Sequence, residues 1–320
     1  MRRKTDIFDL MRMYPELGAF IVYVIVILAF SVGSPALLTI GPLTAIFTVA
    51  AELGIVALGV SMLMISGEFD ISVGSVFLIS TLIFSVLANA GVAVPTAFLL
   101  TLAACALMGL LNGVITVGFG IPSFITTLGT MMLWRGITIV VTGGSIIRWK
   151  ASKDFLQILG GNPFSMFRLT GLWFVVLTVF FYVILHKTRY GNWVFATGGN
   201  VEAARNVGVN VQRVKLINFT LCGLLAGFSG AVNMARFNMV QAQLGRGKEL
   251  EAIAACVIGG NLLMGGKGSI LGAFIGALFL STIKTGVIML GMSSDVYLGV
   301  TGIIIIVTVT LHTYTTRLSR

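Results

Sequence analysis

The sequence predicts an all-α, polytopic membrane protein, and three observations predict it. Apolar residues make up 57% of the 320-residue chain and charged residues only 10%, with a mean hydropathy of +1.02; ordinary soluble domains carry about 25% charged residues. The apolar residues are gathered into runs of the length that crosses a bilayer core, about 20 residues. Lys and Arg outnumber Asp and Glu by 21 to 11, and the excess is concentrated in particular polar segments, as orientation across a membrane requires. This composition excludes a water-soluble enzyme, a secreted disulfide scaffold and a disordered tail. Nucleic acid is not a partner either, since there is no basic stripe with interleaved aromatics.

Ten runs lie near 17–34, 43–65, 72–90, 93–118, 123–142, 169–186, 215–235, 251–264, 270–291 and 296–312. Arg2, Arg3, Lys4 and Arg12 precede the first and place the N-terminus in the cytoplasm. Ser31-Val32-Gly33 could serve a signal peptidase, but nine further runs favour an uncleaved span. Counted from an inside start, six spans bring the polar segment 187–214 to the cytoplasm, where Lys187, Arg189, Arg205, Arg213 and Lys215 face a single acid, Glu202. Ten crossings return the C-terminus, with Arg317 and Arg320, to the same side. Segment 143–168 runs against the rule: it is placed outside yet carries Arg148, Lys150, Lys153 and Arg168. The run 251–264 is short enough for a re-entrant or broken helix. With no shift in composition, 1–320 reads as one transmembrane domain with a cytoplasmic segment 1–16. No internal repeat is evident by eye, although an inverted one can hide in hydropathy.

Cys105, Cys222 and Cys256 are far apart in apolar sequence and read as packing residues. His186 and His312 stand at run ends without partners, so neither a metal site nor a cofactor is expected. Small residues recur at every fourth position in Gly268, Gly272 and Gly276, in Gly223 and Gly227, and in Gly109 and Gly113. This spacing lets helix backbones approach closely in lipid, within one bundle or across a dimer interface.

Polar groups at membrane depth cost roughly 2.5–3.5 kcal/mol each unless paired or hydrated. Glu52 shares a helix face with Gly59 and Ser66; it either reaches water or a neighbouring Lys or Arg, or it lines a cavity. Asn112, Arg135 and Lys284 pose the same alternatives. In GEFDISVGS, residues 67–75, Asp70 or Ser72 can cap the next helix through its first backbone N–H groups. A re-entrant turn lining a cavity is the competing reading of this segment, which also contains Glu68.

Within 188–214, Asn200 is a good N-cap, Val201-Glu202-Ala203-Ala204-Arg205 are helix formers and Gly208 is a stop. The expectation is a short cytoplasmic helix without a core of its own. Isolated helices below about 12–15 residues are marginal, so a docking partner is implied. The glycine-rich stretch 245–269 fails as a phosphate loop, because Asn261 replaces the first glycine of GxxxxGK[ST] and Gly268 follows Lys267. Energy from ATP must then come from another subunit.

Four stretches, in order, resemble the permease subunit of bacterial ABC importers for simple sugars, the ribose, xylose, arabinose and autoinducer-2 family. They are GEFDISVGS; IPSFITTLGTMMLWRG at 121–136; GGNVEAARNVGVNV at 198–211; and GKELEAIAACVIGGNLLMGGKGSILGAFIGAL, which includes Asn261 and the Gly268, Gly272, Gly276 series. Glu251 stands where many members have Asp, and Asn261 where Thr or Ser is common. The resemblance implies a permease working with a second copy or paralogue in the inner membrane. A cytoplasmic ABC ATPase would power it, and a periplasmic or lipid-anchored sugar-binding protein would feed it. It also makes Gly199, Asn200, Glu202, Ala203, Ala204, Arg205 and Gly208 the coupling segment for the ATPase. Glu52, Ser66, Glu68, Asp70, Ser72, Asn112 and Asn261 are the candidates for the pathway of a monosaccharide or small polyol. An ion-coupled secondary transporter, with Glu52 as the coupling carboxylate, is the alternative. HExxH, GxSxG and paired histidines are missing from the spans, which argues against a membrane enzyme.

Overall fold

The computed structural model describes residues 15–163, 167–293, 296–304, 306, 307 and 310. The helices are α1 (Pro15–Gly33), α2 (Ile40–Ile65), α3 (Val73–Asn89), α4 (Val94–Phe119), α5 (Ser123–Thr142), α6 (Asp154–Gly160), α7 (Leu169–Lys187), α8 (Arg189–Gly199), α9 (Val201–Asn206), α10 (Val211–Phe237), α11 (Lys248–Ile258) and α12 (Ile270–Met289). Residues 296–304 are helical as well. Among the described residues, seven helices, α1, α2, α4, α5, α7, α10 and α12, are long and apolar enough to cross a membrane. The run near 72–90 yields only the 17-residue α3, and the short run near 251–264 yields the 11-residue α11.

Two features depart from the expectation. Strands β1 (Ile147–Arg148) and β2 (Met239–Val240) pair antiparallel, Ile147 opposite Val240 and Arg148 opposite Met239, so the helical bundle carries a small ribbon at one end. Asn89 pins it, donating to Arg148 O at 3.1 Å and accepting from the Lys150 N–H at 2.8 Å. The polar segment 187–214 is not mainly loop either: α8 occupies its first part, with Thr188 accepting from the Gly191 N–H as its N-cap. The ribbon marks one end of the bundle and α9 the other.

α2 and α10 form the centre and run antiparallel. Going down α2, Glu52 meets Ser229, Gly59 packs on Cys222, Met62 O accepts from Asn218, and beyond its end Glu68 pairs with Lys215. Each of these helices is followed by a non-helical stretch, then a shorter helix, then a long one: α2, 66–72, α3, α4 and α10, 238–247, α11, α12. The two short helices begin side by side, with Gly74 of α3 against Gly245 O and the Glu249 carboxylate. Because α2 and α10 run antiparallel, the same order of long, short and long helix recurs in inverted orientation.

Glycine decides where α2 stops. Gly67 takes φ +85°, and the N–H groups of Gly67 and Glu68 bond to Met64 O at 2.9 Å and Leu63 O at 3.2 Å. These paired bonds satisfy the last carbonyls of the helix. Elsewhere glycine provides close approach. Gly109 and Gly223 bring α4 and α10 backbone to backbone, Gly272 meets Gly259, and Gly276 meets Ala255 O, each without room for a Cβ. Gly268 lies against Ile65 and Asn261.

α5 is built inside out relative to a helix of a soluble protein. Ser123, Thr126, Thr127 and Thr130, spaced three or four apart, are buried, while Phe124, Ile125, Met132 and Leu133 are exposed. Lipid is an apolar solvent, so the hydroxyls turn inward to backbone carbonyls, as Thr127 does to Ser123 O at 2.8 Å.

Candidate functional site

The irregular segment 66–72 lies inside the bundle, against α4 and α5. Its backbone N–H groups are met by side chains: Phe69 donates to Ser123 Oγ and Ile71 to Thr127 Oγ1, both at 3.2 Å. Asp70, fully buried, forms the centre. Its Oδ1 accepts from the Ser72 N–H at 2.7 Å and the Ser72 hydroxyl at 2.6 Å, and its Oδ2 from Asn112 Nδ2 at 3.1 Å. Asn112 also donates to Ser72 Oγ at 2.9 Å. Asp70 therefore orders the turn before α3, as an aspartate two residues ahead of an N–H can. Ser72, the N-cap by position, spends its hydroxyl on Asp70 and makes no capping bond. The simple capping reading is corrected to that extent.

Several polar atoms beside this network have no hydrogen-bond partner among the described residues. They include Ser75 Oγ in the first turn of α3, the second amide atom of Asn112, Thr116 Oγ1 one turn further along α4, and Thr126 Oγ1 on α5. A buried polar atom without a partner costs about 1–3 kcal/mol.

The other candidate pathway residues are placed differently. Ser66 is buried and bonds to Leu63 O at 2.7 Å. Asn261 is buried between Ser61 Oγ, to which it donates at 2.6 Å, and the Ser269 N–H, from which it accepts at 2.8 Å; it ties the end of α11 to α2 and to the start of α12. Glu68 pairs with Lys215 near the α9 end. Glu52 accepts from Asn233 at 2.9 Å and Arg236 at 3.0 Å, so it reaches a neighbouring Arg. It also borders a cavity of about 230 Å³ that Arg236, Lys248, Glu251, Lys284 and Tyr297 line. Both readings of Glu52 hold in part.

The sequence reading missed the partners Asn233, Arg236 and Lys215, and the hydroxyl stripe on α5. The stripe was visible as Ser123, Thr126, Thr127 and Thr130 at helical spacing. Asn233 and Arg236 gave no local signal, because they meet Glu52 only when α2 and α10 pack.

α9 matches its sequence signature. Asn200 Oδ1 accepts from the Ala203 N–H at 3.0 Å, and Gly208 takes φ +85° after the helix. Ala204 and Val209 are buried against the bundle, so one face has a docking site on the protein itself. Glu202, Ala203, Arg205 and Asn206 are exposed, as are Gly199 and Gly208, and Val207 is 77% exposed.

Residues 43–309 match the family described as branched-chain amino acid transport system, permease component. The chain belongs to this permease family. The xylose/arabinose import permease protein XylH of Sulfolobus acidocaldarius is 36% identical over 95% of this chain and 86% of that protein. The ribose import permease protein RbsC of Bacillus subtilis is 34% identical over 93% of this chain and 91% of its own length. The autoinducer 2 import system permease protein LsrC of Salmonella typhimurium is 36% identical over 79% and 72% respectively. No solved structure matches the chain. The protein is thus the permease subunit of an ABC importer and a multi-pass protein of the inner membrane.

Proposed function

We propose that this permease forms the pathway of a monosaccharide or related small polyol, pentoses first. The observation that carries the reading is the broken helix before α3, where Asp70, Ser72 and Asn112 form a buried polar network flanked by the unpartnered atoms of Ser75, Thr116 and Thr126. Sugar hydroxyls both donate and accept, and a row of hydroxyl, amide and carboxylate groups suits weak, successive contacts with them. The names of the relatives support a sugar over the amino acid in the family description.

The α9 end is assigned to the cytoplasm, together with both termini, and the chain then makes about ten passes if the two non-helical stretches complete the crossings of α3 and α11. The exposed face of α9 docks on a cytoplasmic ATPase, and an extracytoplasmic binding protein delivers the sugar at the ribbon end. A second permease copy or paralogue packs on α5, where Gly129 and Gly136 stand on the exposed side with open space before them.

The test is uptake of labelled D-ribose, D-xylose and L-arabinose into proteoliposomes carrying the permease, its co-purified ATPase and its binding protein. Uptake that needs ATP and both partners supports the reading. The six ionisable groups around the cavity, Glu52 included, favour a second reading, ion coupling; uptake without the ATPase that a protonophore collapses would establish it.

A further inference from the structure

Three glycine-bearing segments from distant parts of the sequence meet at the α9 end. One ends α2 at Ile65–Gly67, one is the end of α8 at Gly198–Gly199, and one lies between α11 and α12 at Gly265–Gly266. The Gly266 N–H donates to Ile65 O at 2.9 Å. A Cβ on Gly265 would fall 2.8 Å from Gly67 Cα, one on Gly266 2.7 Å from Gly199 Cα, and one on Gly198 would strike the Ile65 carbonyl. With no side chain between these backbones, there is no rotamer freedom to absorb a shift of one against the others.

The positions of the segments give this contact its meaning. α9 starts from its N-cap Asn200, directly after Gly199. Gly67 opens the irregular segment that leads to Asp70, and its neighbour Glu68 is tied to Lys215 in the second turn of α10. Gly266 lies shortly before Ser269, the N-cap of α12, whose hydroxyl accepts from the Gly272 N–H at 3.2 Å.

We propose that this glycine junction transmits movement of α9 to both broken-helix repeats at once, to the Asp70 segment through Gly67 and to the start of α12 through Gly266. The proposal rests on the reading of α9 as the ATPase docking helix. Its predicted signature is uncoupling: ATP is still hydrolysed, but fewer sugar molecules cross per ATP.

The experiment uses the whole complex of permease, ATPase and binding protein in proteoliposomes, with the sugar that wild type takes up best. Gly198→Ala, Gly265→Ala and Gly266→Ala are compared with Gly118→Ala, a glycine with open space around it. The three junction variants are expected to keep binding-protein-stimulated ATPase within about twofold of wild type. Their ratio of sugar to ATP is expected to fall by about fivefold or more. For variants that do not assemble, the Glu68–Lys215 pair decides: Glu68→Lys and Lys215→Glu each lower the ratio and the double exchange restores it. Unchanged ratios in the assembled glycine variants and in both charge variants would overturn the junction, as would ATPase that falls in parallel with uptake. Absence of ATP-dependent uptake by wild type would instead refute the docking role of α9.

Discussion

Asn112 on α4 donates to Asp70 at 3.1 Å across 42 positions of sequence, and its second bond, to Ser72 Oγ, closes a three-residue ring at the start of α3. The ring holds a fully buried carboxylate without an ion-pair partner among the described residues. The Ser72 N–H and hydroxyl and the Asn112 amide satisfy its two oxygens.

Asn112→Leu is therefore expected to destabilise the permease by about 1–3 kcal/mol, because it leaves Asp70 short of a donor. Thermal unfolding of the purified protein in detergent measures this. Asp70→Asn is expected to retain most of the stability and to lower sugar uptake about tenfold or more with ATPase docking intact. Normal uptake by Asp70→Asn would remove the network from the pathway.

Glu52 and Arg236 make a different kind of pair. Arg236 is partly exposed while Glu52 is nearly buried. Arg236→Met strands the carboxylate with Asn233 alone, and a loss of about 1–3 kcal/mol is expected, below the figure for a fully buried pair. Glu52→Gln with Arg236→Met is expected to recover at least half of it. A double variant no more stable than Arg236→Met would show that the pair is not the source of the loss.

On α9 the expected effects separate stability from coupling. Glu202→Ala and Arg205→Ala change exposed side chains and should leave unfolding within about 0.5 kcal/mol of wild type, while sugar transported per ATP drops. Val207→Asp is expected to weaken co-purification of the ATPase. Unaltered transport stoichiometry in both alanine variants would contradict a coupling role for these side chains.

The N-cap supplies a finer probe. Asn200→Ala removes the acceptor for the Ala203 N–H and is expected to cost α9 about 1 kcal/mol, with Asn200→Asp close to wild type. Amide hydrogen exchange over 201–206 reads the helix directly, and equal protection in the two variants would rule out the cap.

What the sequence showed and what it hid divides along physical lines. α9 was legible because its determinants are local: an N-cap at Asn200, helix formers, and a stop at Gly208. The run near 251–264 was recognisably short, since a crossing has a minimum length. The inverted repeat was not legible, because it resides in the order of long and broken helices around the antiparallel α2 and α10. Asp70 was singled out, but whether its segment capped a helix or entered the bundle depended on Asn112, Ser123 and Thr127 on other helices. The β ribbon escaped notice because two-residue strands leave no periodicity to detect.

The most direct test of the account is the sugar-to-ATP stoichiometry of the reconstituted complex. For wild type, uptake of a pentose is expected only with ATP, the ATPase and the binding protein together, and Asp70→Asn is expected to suppress uptake while binding-protein-stimulated hydrolysis continues. Pentose uptake at the wild-type rate by Asp70→Asn, or uptake by the permease alone, would contradict it.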